Sequence, residues 1–280
     1  MKPMKHVTLP TGEQVPALGM GTWMIGEDRA SRAGEIAALQ RGIDLGMTLI
    51  DTAEMYGDGA SERLVGEAIK GRRERVFLVS KFYPHHATVR GARTACEGSL
   101  GRLGVDCLDL YLLHWRGEVP FEETIEAVER LREQGKIRHW GVSNLDIRDM
   151  KELRALPGGE RAAVNQVLYN LSRRGVEWDL LPWCEQARMP LMAYSPVEQA
   201  RLLRHPGLRA LAARHGATPA QLALAWLLTR EQVIAIPKAS TRAHLEENFA
   251  AFECPIDAAT LAELDRLFPP PQRATPLAML

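Results

Sequence analysis

Short apolar runs alternate with longer segments of helical spacing along nearly the whole chain, a rhythm that predicts parallel β-α units. The runs that read as strands are Gly19–Thr22, Thr48–Asp51, Val76–Lys81, Leu108–His114, Arg138–Ser143, Ala163–Gln166, Leu191–Ser195 and Val233–Pro237. Ahead of them, Val7-Thr8-Leu9 and Gln14-Val15-Pro16 flank Thr11-Gly12, the pattern of a small hairpin able to plug one end of a barrel. The intervening helices carry start and stop signals. Ser61 reads as the cap of a helix whose Leu64, Val65, Ala68 and Ile69 share a face, with Gly71 just past its end. Thr218-Pro219-Ala220-Gln221 combines an N-cap, a proline at the first helical position and a capping-box glutamine. Asp257 opens a last helix with Leu261, Leu264 and Leu267 inward, stopped by Pro269-Pro270-Pro271. Eight strands, each followed by a helix, favour a closed (β/α)8 TIM barrel, an α/β fold, over an open sheet. No linker composition divides the chain, so residues 1–280 are expected to form one domain.

Composition narrows the function classes. The chain has 35 basic and 35 acidic residues and no long like-charge run, so neither nucleic acid nor a membrane surface is an expected partner. The apolar run from Leu222 to Leu228 is too short to span a bilayer. The start, Met1-Lys2-Pro3-Met4-Lys5-His6, is charged and has no apolar segment behind it, which does not read as a secretory signal. Cys96, Cys107, Cys184 and Cys254 lie far apart with no C-x-x-C pair. Neither a structural metal nor a disulfide framework is expected, and the cytoplasm is the expected compartment.

The apolar strand runs end in polar residues: Asp51, Lys81, His114, Ser143-Asn144, Asn165-Gln166, Ser195 and Lys238. In a barrel of this kind the active site gathers at the C-terminal ends of the strands. Taken singly, each residue has an ordinary reading: Asp51 as a turn former, Lys81 as a surface charge, His114 as a rim residue, Tyr56 as packing. Together, Asp51, Lys81 and His114 end three successive strands, and Tyr56 lies one short loop beyond the first. Such a set suits carbonyl reduction, which needs a hydride on carbon and a proton on the developing alkoxide. A free Tyr titrates near ~10 and is a reluctant donor. An ammonium beside it favours the phenolate and is expected to lower that value. Lys81 supplies the charge if Asp51 holds it as an ion pair, and His114 can orient the carbonyl oxygen.

These residues make the chain similar to the aldo-keto reductase superfamily along nearly its full length. The matching segments are Leu18-Gly19-Met20-Gly21-Thr22-Trp23, Leu49-Ile50-Asp51-Thr52-Ala53-Glu54-Met55-Tyr56-Gly57, Lys81, and Leu108-Asp109-Leu110-Tyr111-Leu112-Leu113-His114-Trp115. Gly135-Lys136-Ile137-Arg138, Gly141-Val142-Ser143-Asn144, Asn165-Gln166, Ala193-Tyr194-Ser195-Pro196 and Ile236-Pro237-Lys238 continue the series in family order. Within the superfamily the chain resembles bacterial methylglyoxal-reductase-like members. The resemblance implies a catalytic tetrad of Asp51, Tyr56, Lys81 and His114, with Tyr56 as general acid, and NADPH extended across the barrel mouth. Tyr194 would stack on the nicotinamide, and Ser143, Asn144 and Gln166 would hold its carboxamide. Gly21, Thr22, Trp23 and Asp51 would border the cofactor, and Ser195, Pro196 and Val197 would line the pyrophosphate path. Ile236, Lys238, Ala239, Ser240, His244, Glu247 and Asn248 would surround the adenosine end. Trp23, Tyr83 and Trp115 match aromatic positions of the substrate pocket, and the tail from Gln272 to Leu280 would complete its rim. The implied substrate is a small aldehyde, ketone or 2-oxoaldehyde, and the implied state a monomer.

Two positions depart from the family pattern. His244 stands where an Arg commonly clamps the 2′-phosphate, and an imidazole is mostly neutral at pH 7. Ala239 replaces the usual Ser. Both weaken the phosphate grip while Lys238 and Arg242 remain, so NADPH is expected with NADH as a possible second donor. Two other readings stay open at this point. One is a Schiff-base lyase using Lys81; the other is a cofactor-binding regulatory barrel with negligible turnover. A Rossmann dehydrogenase is disfavoured because Gly19-Met20-Gly21-Thr22-Trp23-Met24 lacks the third glycine of the dinucleotide fingerprint.

Overall fold

A computed structural model of the chain describes residues 4–280, so the first part of the charged start, residues 1–3, lies outside the described residues. Strands β1 (His6–Thr8) and β2 (Gln14–Pro16) pair antiparallel with Val7 opposite Val15. Val7, Leu9 and Val15 are buried, so the hairpin turns an apolar face to the rest of the molecule.

Eight parallel strands follow, β3 (Met20–Gly21), β4 (Leu49–Asp51), β5 (Phe77–Phe82), β6 (Leu108–Leu113), β7 (Ile137–Ser143), β8 (Asn165–Leu168), β9 (Leu191–Tyr194) and β10 (Val233–Ala235), each paired with its neighbour in chain order. The sheet curls until its two edges meet. Leu18 bridges Ala235 and Gly21 bridges Lys238, both parallel, and the Gly19 N–H donates to the Ala235 carbonyl at 2.8 Å. Closure removes both exposed edges. It also explains Gly21: a Cβ there would lie 2.7 Å from the Ile236 carbonyl oxygen, so any side chain would push the seam apart. The hairpin sits at the opposite end from the strand C-termini, because Glu13 of its turn pairs with Arg138 and His139 at the start of β7.

The strand positions agree with the apolar runs to within a few residues. β5 extends one residue past Lys81, and β8 is displaced toward Leu168, so Gln166 lies within its strand and not at its end. Helices α1 (Arg32–Leu45), α2 (Ala60–Ile69), α3 (Val89–Leu103), α4 (Phe121–Glu133), α5 (Ile147–Ala155) and α6 (Leu180–Gln186) connect successive strands. After β9 come α7 (Pro206–Arg214) and α8 (Pro219–Leu228); α9 (Arg242–Phe249) and α10 (Ala258–Leu267) follow β10. Thr218 and Gln221 form the reciprocal capping box at the head of α8. The Asp257 side chain accepts the Thr260 N–H at the head of α10. Helix α8 is apolar around its circumference, and all its residues from Leu222 to Leu228 are buried. No helix among the described residues is long and apolar enough to cross a membrane.

One helix start differs from the sequence reading. Gly59, in the left-handed region at φ 76°, precedes α2, and Ser61 caps nothing. Its hydroxyl points into the protein, 2.8 Å from the Thr22 hydroxyl and 3.1 Å from that of Thr52. A serine near a helix start has two competing sets of partners. Here the buried strand ends win, because an unpaired hydroxyl there would cost ~1–3 kcal/mol.

Candidate active site

Asp51 closes β4, Lys81 lies near the end of β5, and His114 follows β6; all three are buried. Tyr56 comes from the loop after β4 and is half-buried as a residue. Lys81 organises the group. Its Nζ donates to Asp51 Oδ2 at 2.8 Å, to the Thr52 carbonyl at 2.9 Å and to the Tyr56 hydroxyl oxygen at 3.1 Å. The ammonium also lies 4.8 Å from the centre of the Tyr56 ring. The His114 and Tyr56 ring centres are 6.1 Å apart, edge to face.

Burial and charge act differently on each group. Burial pushes the Lys81 amine down, but Asp51 and Tyr56 push it up by more, so it stays an ammonium. Burial holds the Tyr56 phenol above its ordinary value of 10.0; Lys81 pulls down and Asp51 pushes up. The lowering expected from the neighbouring ammonium therefore exists but is outweighed by loss of solvent around the phenolate. Burial, helped by Lys81, pushes His114 down to about 3, so its ring is neutral. His114 Nδ1 is buried without a partner among the described residues.

A second set of groups continues the polar row. Gln166 Nε2 donates to Asp51 Oδ1 at 2.7 Å, leaving its amide oxygen as an acceptor. The Ser143 hydroxyl donates to the Gln166 carbonyl at 2.9 Å. Asn144, at φ 57°, donates to Ser143 Oγ and to the His114 carbonyl, both at 3.1 Å. The Tyr194 hydroxyl donates to Asn144 Oδ1 at 3.1 Å. One chain of hydrogen bonds thus runs from Tyr194 to Tyr56, and its amides and hydroxyls offer donors and acceptors to a carboxamide.

Beyond Tyr194 the backbone is strained. Ser195 has φ 46°, and Glu198, Gln199 and Ala200 are three consecutive left-handed residues. Pro196 is buried and Val197 half-buried. Glu198 anchors this turn through Arg173 at 2.8 Å and Asn170 at 2.8 Å, and Asn170 also holds the Ser195 carbonyl. On the far side of the mouth, Lys238 is exposed after β10, Ser240 is half-buried, and Ile236 and Ala239 are buried. Thr241 caps α9 by accepting the His244 N–H at 3.2 Å. His244 is exposed in that first turn, with Arg242 exposed beside it; Glu247 is half-buried and Asn248 buried. A helix start with a lysine before it is a sound place for an anion.

The remaining candidates divide. Tyr83 and Trp115 meet edge to face at 5.9 Å, and Trp115 lies 4.9 Å from His114. Trp23 stands 41% exposed, and no ring contact joins it to the other two. Thr22 is buried, its hydroxyl donated to the Asp51 carbonyl, so its side chain braces the site from behind. The tail reaches the mouth: the Leu280 N–H lies 3.4 Å from the Tyr194 hydroxyl. Sequence reading did not single out Asn170, Glu198 or a role for the Glu54 carboxylate. Asn170 and Glu198 sit in irregular loops with no periodicity to mark them, and Glu54 was visible only as part of a matching segment.

The model of the Aldo/keto reductase family matches residues 17–268. The chain is 55% identical over 271 residues to methylglyoxal reductase YeaE of Escherichia coli (strain K12), spanning 95% of each protein. An aldo-keto reductase of Klebsiella pneumoniae solved in complex with NADPH superposes with a TM-score of 0.97 at 52% identity, over 100% of both chains. A Klebsiella pneumoniae aldo/keto reductase in complex with NADP and acetate gives 0.96 at 52% identity, over 99% of this chain and 100% of that one.

Proposed function

The chain belongs to the Aldo/keto reductase family, and from that premise we propose that it reduces small aldehydes, ketones and 2-oxoaldehydes such as methylglyoxal to alcohols, with Tyr56 as the general acid. It is an NADPH-dependent oxidoreductase. The observation that carries the catalytic reading is the position of Lys81, 2.8 Å from Asp51 and 3.1 Å from the Tyr56 oxygen. The cofactor fits the groups present. Ser143, Asn144 and Gln166 would hold its carboxamide, Tyr194 would face its ring, and Ser195, Pro196 and Val197 would follow its pyrophosphate. Lys238, Arg242 and the start of α9 would take the phosphate at the adenosine end. When bound, the cofactor supplies the hydride that goes to the carbonyl carbon.

The side chains handle the proton. Lys81 donates to the Tyr56 oxygen, so the phenol's own hydrogen is free to point at a carbonyl oxygen. A high phenol pKa keeps that hydrogen in place until an alkoxide, a far stronger base, develops beside it. The phenolate left behind is stabilised by the ammonium, and Asp51 keeps the ammonium charged. The neutral His114 ring contributes one N–H to orient the carbonyl oxygen. Holding these groups in place removes reorganisation from the barrier. A lysine held as an ammonium is a poor nucleophile, which counts against a Schiff-base lyase. Intact tetrad geometry counts against a barrel without turnover. One domain, a monomer and a cytoplasmic setting complete the proposal, with the hairpin at the closed end and α10 and the tail beyond the last strand.

The test is an aldehyde panel with NADPH and NADH side by side. Cofactor oxidation that depends on added aldehyde is expected with NADPH. Because burial raises the Tyr56 phenol above 10.0, the reduction rate should not fall on the alkaline side of neutrality before about pH 10. Failure of every aldehyde to drive oxidation would refute the reading. His244→Arg adds a fixed charge to the first turn of α9 and is expected to tighten NADPH about tenfold with little change for NADH. Equal effects on both would remove His244 from the phosphate site.

A further inference from the structure

Glu54 lies two residues before Tyr56, yet the reaction just described makes no use of it. Its side chain is 9% exposed. The backbone N–H of Glu54 donates to the Lys81 carbonyl at 3.3 Å. Its Oε1 accepts the Tyr83 N–H at 2.8 Å and pairs with His86 Nδ1 at 2.9 Å. An ionised carboxylate only accepts, so the proton in the second contact is on His86 Nδ1. Glu54 therefore grips the end of β5 and the loop after it on both sides of Phe82, and neither side-chain contact goes to Asp51, Tyr56 or Lys81.

What it holds is an aromatic cluster. Tyr83 stacks on His85 at 5.0 Å and meets His86 at 6.0 Å and Trp115 at 5.9 Å. His85 and His86 lie 4.2 Å apart, and Trp115 packs 4.9 Å from His114. Rings at these distances attract one another only weakly. Their backbone must be fixed by something stronger, and a nearly buried carboxylate shared by an amide and an imidazole is of that kind.

We propose that Glu54 is a specificity-determining positioning residue that locks Tyr83 and His86 into one wall with Trp115, and so sets how well carbonyl compounds with a flat, apolar substituent seat beside His114. The inference rests on the reading that the carbonyl binds between Tyr56 and His114. Without the carboxylate, the Tyr83 N–H loses its acceptor and His86 loses its anchor. A substrate large enough to lean on the wall must then order it on binding, whereas a methyl group presents much less surface to it.

The experiment compares phenylglyoxal with methylglyoxal in Glu54→Ala, Glu54→Gln and His86→Ala, alongside NADPH affinity by fluorescence and Tm. Glu54→Ala is expected to lower the phenylglyoxal-to-methylglyoxal ratio of kcat/KM about tenfold, chiefly through a higher KM for phenylglyoxal, with NADPH affinity near that of the wild type. Glu54→Gln keeps an acceptor for the Tyr83 N–H and should lose less; it carries the test if the alanine variant does not fold. His86→Ala leaves the Tyr83 contact intact and should lose least. An unchanged ratio in the Glu54 variants, whether or not Tm falls, would reduce Glu54 to a structural residue and overturn the proposal. A wild-type protein with no aldehyde-dependent NADPH oxidation would strike the reductase reading itself, and the inference with it.

Discussion

Tyr56→Phe is expected to lower kcat by about 10²–10⁴-fold, the usual worth of a positioned general acid, while the NADPH dissociation constant stays near its wild-type value. The change removes one oxygen and leaves the ring, so the packing of the ring against its neighbours is kept. Lys81 loses one acceptor but keeps Asp51 and the Thr52 carbonyl, which argues against collapse of the site. The groups proposed to line the cofactor path, from Ser143 to Lys238, are untouched. Stopped-flow measurement of the hydride step, with fluorescence titration of NADPH on the same preparation, separates chemistry from binding. Wild-type turnover in the variant would show that another group delivers the proton.

Lys81→Met should act on stability as well as on rate. Asp51 is 2% exposed. Removing Lys81 leaves its carboxylate deep in the barrel with the Gln166 amide as its remaining side-chain partner. Breaking a buried pair from one side typically costs about 3–5 kcal/mol, because the surviving charge is stranded. Adding Asp51→Asn removes that stranded charge, so the double variant should recover much of the loss while staying inactive. Urea unfolding of the two single variants and the double variant gives the coupling directly. If Lys81→Met unfolds at the wild-type urea concentration, Lys81 and Asp51 are not a buried, mutually dependent pair.

Much of the candidate site was legible because its chemistry is written at strand ends. Apolar runs that stop at Asp51, Lys81 and His114 place those residues on one rim of a parallel barrel, and Tyr56 follows within one loop. The strands were legible to within a few residues for the same reason, since burial on both faces demands unbroken apolar runs. What failed was local inference where two partners compete. Ser61 has the type and place of a helix cap, but its hydroxyl turns to Thr22 and Thr52. The apolar pattern ends a strand at Gln166, whereas β8 carries on to Leu168 and the amide reaches Asp51 across 115 residues of chain.

The amino-acid order by itself determined which groups this protein possesses and the rhythm that delivers them to one end of a barrel, since period and side-chain chemistry are local properties. Only the tertiary structure decided their electrostatics. The Tyr56 phenol is raised, not lowered, because burial removes solvent from a phenolate more than Lys81 can offset, and burial depends on every neighbour at once. The grip of Glu54 on Tyr83 and His86, and that of Glu198 on a turn of left-handed residues, arose the same way. Each joins segments that no pattern along the chain connects, through charges whose worth is set by the solvent they lose.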